Sequence, residues 1–266
     1  MANGIYVSAD STRARLEQLE TTSHNLANMM TSGYRRRQAI FSEVHADVLR
    51  QSSPQQALGV HRPVRFLPED RVGVETADRF VYWSQGNLDF TGNSLDLGIE
   101  GEGFLSIEGA GGQKLYTRNG SLQLNGRGEL ITQRGNRVLD RADRPITIPP
   151  GTGGLNVSYD GRIVGENGVF VGQINFVNFG DGKPQTLNQA LESTGESSYR
   201  LVDPNVAEAP AKGIIRQGYI EGSNVNAVQE MTSLLSVSRL YELSSRAMQA
   251  YADLDRKAAQ DVGRLQ

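Results

Sequence analysis

The residue types that most often carry chemistry are sparse in this chain and poorly spaced for it. Three histidines, His24, His45 and His61, stand far apart, outside any H-E-x-x-H arrangement that would turn two imidazoles toward one zinc ion. Gly101 and Gly103 begin a dinucleotide fingerprint, but the third glycine and the following helix are missing. Gly182-Lys183 ends like a P-loop, yet the glycine five places earlier is absent and Pro184 takes the place of the Ser or Thr hydroxyl. There is no G-x-S-x-G elbow. Asp96, Glu100 and Glu102 lie close in sequence and read as solvent-facing strand and turn positions rather than as an acid–base pair. The sequons at Asn119 and Asn156 mark exposed turns. Cysteine is absent, which removes disulfides, thiolate ligands and thiol nucleophiles together. These residues point to no enzyme, no cofactor and no metal.

What remains is architecture. With 27 basic and 30 acidic residues and a formal net charge of -3, the chain lacks the basic excess that gathers nucleic acid. Its one basic run, Arg35-Arg36-Arg37, reads as a solvated stretch just past a helix end, where cations suit the helix dipole. No apolar run approaches the roughly 18 residues of a membrane span, so membrane insertion is not expected. The first thirty residues lack the apolar core and cleavage site of a secretory signal. That suits a protein that stays in the cytosol or leaves by a route sparing its N-terminus.

The two ends read as helices. Ile5, Ala9, Thr12, Leu16, Leu19, Ser23, Leu26 and Met30 recur at spacings of four and three, and Met231, Leu234, Ser238, Tyr241, Ser245, Met248, Ala252, Asp255, Ala259 and Val262 repeat the rhythm. This is the period of a coiled-coil seam. Such helices are marginal alone and need a partner for the apolar face, and the other terminus is the nearest one. The seam is thin, broken by Thr12, Ser23, Ser238, Ser245 and Asp255, so neighbouring subunits are expected to complete it. The first helix should end between Met29 and Ser32, with Gly33 in the left-handed conformation and Tyr34 folded back onto the last turn. Asn25, Asn28, Asn224 and Asn226 suit caps and turns, and Asn226 with Gln229 resembles a capping box.

Between the ends the period changes to two. Leu95, Leu97 and Ile99 alternate with polar residues and glycine, as do Leu122 and Leu124, and turn pairs such as Asn119-Gly120, Asn125-Gly126 and Asp160-Gly161 separate the runs. Many short strands predict an antiparallel sheet or barrel-like domain, with Val169 to Phe179 as its strongest strand. A short helix is possible from Ser42 to Leu49, a loop from Gln51 to Gly59, and extended chain from Val60 to Phe66. The organisation expected is α+β and discontinuous: an N-terminal helix over 1–40, an extended linker over 41–78, a β-rich outer domain over 79–210, and a return linker and C-terminal helix over 211–266.

Several segments, in order along the chain, resemble bacterial flagellar rod and hook proteins. They are Asn25-Leu26-Ala27-Asn28 with Thr31-Ser32-Gly33-Tyr34; Gln85-Gly86-Asn87-Leu88; Gly101-Glu102-Gly103-Phe104; Tyr116-Thr117-Arg118-Asn119-Gly120; and Glu221-Gly222-Ser223-Asn224-Val225-Asn226 with Glu230-Met231-Thr232. Gly98 stands where alanine is common in that family, and Leu105 replaces a second aromatic. The resemblance implies paired terminal helices inside and a β-rich domain outside. It also implies a subunit of the periplasm-spanning shaft that carries torque from motor to hook, exported by the flagellar type III apparatus without cleavage. Partners would be copies of itself, other rod proteins, and hook-side or bushing components. The Glu221 motif and the short 51–59 stretch favour the proximal rod; a distal rod subunit or hook-type axial protein is the alternative, and a secreted β-rich binding module is the rival of another class. The expected assembly seam joins Leu16, Leu19, Leu26 and Met30 to Met231, Leu234, Leu235, Tyr241 and Met248.

Overall fold

The N-terminal periodicity forms a helix, α1 (Ala2–Ala27), in a computed structural model that describes residues 2–44, 73–195, 197–203 and 205–263. Threonines inside it do not fray it, because Thr12, Thr21 and Thr22 donate their hydroxyls to carbonyls four residues back at 2.7–2.8 Å. The helix stops at Ala27, before the expected Met29 to Ser32, and gives way to tight turns. The asparagine side chains are engaged by the loop that follows: Tyr34 Oη donates to Asn25 Oδ1 at 3.1 Å and the Thr31 hydroxyl to Asn28 Oδ1 at 3.1 Å. Helix α2 (Pro184–Ala190) went unforeseen; Pro184 opens it and Asp181 accepts from the Thr186 hydroxyl at 2.7 Å. Helix α3 (Ala227–Gly263) has 37 residues and spans about 55 Å at 1.5 Å per residue.

The chain divides into two compact units. One holds Met1–His24, Arg37–Phe80 and Val228–Gln266; the other holds Asn25–Arg36 and Val81–Ala227. Arg37–Val44 and Gly73–Val81 form a two-stranded sheet that, up to Phe80, belongs to the first unit. Ser42 to Val44 is therefore strand rather than the start of a helix, since pairing outweighs a weak local helical pattern. The rest of that expected helix, the 51–59 loop, the Val60 to Phe66 extension and most of the 41–78 linker lie outside the described residues.

The second unit is antiparallel β structure. Its largest sheet runs Leu191–Gly195, Ser198–Leu201, Lys114–Thr117, Phe104–Glu108, Arg137–Val138, Leu130–Thr132 and Leu122–Leu124, with Phe176–Phe179 joining Phe104–Glu108 and Glu208–Pro210 beyond it. This path is open at both ends, so among the described residues the sheet does not close into a barrel. The run Val169 to Phe179 is two strands rather than one. Phe170–Gln173 pairs with Arg162–Gly165 in a three-stranded sheet, and Phe176–Phe179 serves the large one. Ile174, fully buried and bridged to Asp140, sits where the chain changes sheets.

The segment 211–226, read as a return linker, holds two strands. Ile214–Gln217 pairs with Leu97–Glu100, and Tyr219–Glu221 with Leu88–Phe90. Leu97, Ile99, Leu105, Ile107, Ile163, Ile174 and Ile215 are the heart of one apolar core, and Phe104, Tyr116, Phe179 and Tyr199 anchor a second. Asp96, Glu100 and Glu102 are all partnered rather than simply solvated. Asp96 is buried and accepts from the Thr91 hydroxyl at 2.7 Å, Glu100 pairs with Arg216, and Glu102 accepts from Asn178 Nδ2 at 3.1 Å.

Candidate functional site

Glycines that permit close backbone approach bring the family-like segments together around one carboxylate. Gly33 has φ +68, and a Cβ there would lie 2.6 Å from the backbone of Arg118 and Asn119. Its N–H donates to the Glu221 carbonyl at 2.8 Å. Gly33 thus fixes the chain to a distant strand rather than closing the helix on itself, as the sequence had implied. At Gly86 a Cβ would collide with the Gly222 carbonyl, and at Gly103 with the Phe176 ring. Side chains are excluded at these positions because another segment already occupies the space.

The Glu221 side chain is fully buried. Oε1 accepts from Arg35 Nη2 at 2.5 Å, from the Gly86 N–H at 3.1 Å and from Arg118 Nη2 at 3.3 Å, while Oε2 accepts from Arg118 Nε at 2.9 Å. Arg118 also donates to the Gly103 and Gly101 carbonyls, each at 2.8 Å, and its guanidinium lies 5.8 Å from the Phe104 ring centre. Two guanidinium groups share one carboxylate, and main-chain dipoles take up the surplus positive charge. Burial, with Arg35 nearby, pulls the Arg118 pKa below its ordinary value, and Glu221 opposes that pull; arginine nevertheless stays charged in proteins.

Asn224 extends the junction. Its Oδ1 accepts from the Arg36 N–H at 2.7 Å, and its Nδ2 donates to the Tyr82 and Ser84 carbonyls at 2.8 and 2.9 Å. It is a cross-link between three segments rather than a cap. Ser223 Oγ accepts from the Val225 N–H at 3.2 Å, and Asn226 directly precedes α3. The site thus gathers Gly33, Tyr34, Gly86, Gly101, Gly103, Phe104, Glu221, Ser223 and Asn224, with Asn25 tied in through Tyr34.

Sequence reasoning missed both cations. Arg35 is 0% exposed, which overturns the solvated reading of the arginine run, and Arg118 received no role inside its motif. The usable signal was the arginine within Tyr116-Thr117-Arg118-Asn119-Gly120: a charge inside a turn-forming, apolar-flanked motif needs a partner if it is buried. Among the described residues no cluster of His, Asp or Glu could hold a metal. Of the expected seam, Leu16, Met30, Met231 and Leu235 are 44%, 87%, 48% and 59% exposed, whereas Leu19, Leu26, Leu234, Tyr241 and Met248 are half-buried.

A family model described as the flagellar hook protein FlgE/F/G D1 domain matches residues 98–165, and one described as the flagellar basal body rod FlgEFG protein C-terminal matches residues 216–261. The chain is 31% identical to the flagellar basal-body rod protein FlgF of Caulobacter vibrioides, with 100% of both chains covered. It is 32% identical to the rod protein FlgG of Agrobacterium fabrum over 91% of this chain and 92% of the relative. Identity to FlgG of Buchnera aphidicola from Schizaphis graminum is 29%, over 98% and 100%. These matches span the junction and both ends, and they leave no place for the reading as a free binding module. The chain belongs to the flagellar basal-body rod protein family.

Proposed function

We propose that the chain is a structural, non-enzymatic subunit of the rod in the flagellar basal body, assembling with its own copies and with other rod components into the shaft that passes torque from motor to hook. Carrying this reading is similarity to rod proteins over the full length, including 100% of the Caulobacter relative. The apolar side chains that α1 and α3 leave open supply its physical counterpart, because a monomer gains nothing by exposing them. Pairing of α1 with α3, completed by neighbouring subunits, is the arrangement we favour for the inner helical part, with the β unit outside. Export would proceed through the flagellar type III apparatus with the N-terminus retained.

Within the rod we favour the proximal position. The Glu221 motif supports it, as does the short polar stretch 51–59, where a distal subunit would be expected to carry an insertion. Relatives named FlgF and FlgG stand at 31% and 32% identity, so identity does not choose between them and the distal rod remains the second reading. The test is complementation: the chain, expressed in a strain lacking its own gene for it, should restore swimming and co-purify with basal bodies. Recovery of motility without the chain in purified basal bodies would sink the proposal.

A further inference from the structure

We infer that Asn224, seconded by Asn188, is a positioning residue for torque: the two side-chain amides hold the chain's exits from the β unit at fixed spacing, so that load reaches them together. The inference rests on the rod reading. The chain passes between its two units at four places, after His24, Arg36, Phe80 and Ala227. Each crossing is a single backbone strand with two soft dihedrals per residue. Loaded one by one, such strands would swivel before they resisted.

Within the β unit all four exits are tied. Asn224 stands just before the last crossing; its Oδ1 accepts from the Arg36 N–H at the second, and its Nδ2 donates to the Tyr82 and Ser84 carbonyls just past the third. The Arg36 carbonyl in turn accepts from the Tyr82 N–H at 2.9 Å, with the Arg36 guanidinium 5.1 Å from the Tyr82 ring centre. The first crossing is reached through Tyr34, whose carbonyl accepts from the Asn224 N–H at 3.4 Å and whose Oη donates to Asn25. Asn188, on α2, grips the third crossing again: its Oδ1 accepts from the Val81 N–H at 2.7 Å and its Nδ2 donates to the Val81 carbonyl at 3.0 Å. A primary amide carries acceptor and donor on one short planar group, which lets a single side chain join strands through both kinds of main-chain group. Neither asparagine belongs to an apolar core. Both are neutral, so removing them strands no buried charge, in contrast to Glu221. Their loss therefore frees the exits without unfolding the unit that the strands leave.

Amide exchange on the purified monomer reads the tie directly. In Asn224→Ala the Arg36 N–H, and in Asn188→Ala the Val81 N–H, should exchange at least roughly tenfold faster than in the wild type, with the strand Phe104–Glu108 unchanged. Each variant is then expressed in a strain lacking its own gene for the chain. Both should enter basal bodies, yet swimming speed should fall more steeply than with the wild type as the medium is thickened with methylcellulose and each turn demands more torque. A purely structural role would lower the number of rods and leave the remaining rods as load-tolerant as the wild type. Unchanged exchange at Arg36 and Val81 overturns the inference, as does a wild-type dependence of speed on viscosity. Failure of both variants to enter basal bodies that the wild-type chain enters also overturns it, and in each of these cases the rod reading stands. Absence of the wild-type chain from basal bodies removes both.

Discussion

Glu221 is the residue on which the β unit's polar interior turns. Two arginines and a backbone N–H surround its fully buried carboxylate with donors. Removing one member of a buried ion pair is far costlier than replacing the whole group, because the remaining charges are left without solvent or partner. Glu221→Gln keeps the shape and removes the charge, leaving Arg35 and Arg118 facing each other. The variant should lose about 3–5 kcal/mol of unfolding free energy, measured by urea denaturation of the purified monomer. A loss below about 1 kcal/mol, the scale of an exposed pair, would mean that water reaches the junction.

At the scale of elements, the junction depends on how closely segments can approach. The chain from Gly33 to Arg36 crosses behind the Arg118 turn, and only a residue without a Cβ at φ +68 clears it. Gly33→Ala must therefore strain the backbone and also push against main-chain atoms that cannot swing aside. It should destabilise the monomer by more than about 2 kcal/mol, whereas Gly126→Ala, at an open turn, should change stability by less than about 1 kcal/mol. Equal melting temperatures for the two variants would contradict the close approach. Gly98 follows the same logic: a Cβ there would press on Leu88 Cδ2 and Tyr219 Cβ at 2.9 and 3.0 Å, so glycine suits this packing.

These elements also show what could be read beforehand. The period of two at Leu97 and Ile99, the turn pairs, and the 3–4 rhythm of both ends are local signals, and they carried the α+β class. The switch between sheets at Ile174, the strand character of Ser42 to Val44 and the two strands inside 211–226 depend on pairing with remote segments. Local pattern is blind to that. Arg35 was misjudged for the same reason, since its neighbours Arg36 and Arg37 suggest a solvated run while its partner lies 186 residues away.

For the whole molecule, the contrast between a cross-braced β unit and helices with open leucines implies uneven stability. A helix held mainly by packing is only as stable as the surface it covers, and α3 leaves Leu243 and Leu254 more than half exposed. In the free subunit, most of α1 and α3 should open locally at a small fraction of the global cost, while strands around Glu221 exchange only on global unfolding. Amide hydrogen exchange on the monomer should show residues 8–24 and 235–260 exchanging at least roughly 100-fold faster than the strands Phe104–Glu108 and Tyr219–Glu221. Assembly would then supply the missing packing, and the ordering entropy would be met at incorporation rather than in the exported chain. Uniform protection from end to end would contradict this, since helices already stable alone would have no thermodynamic need of a neighbour.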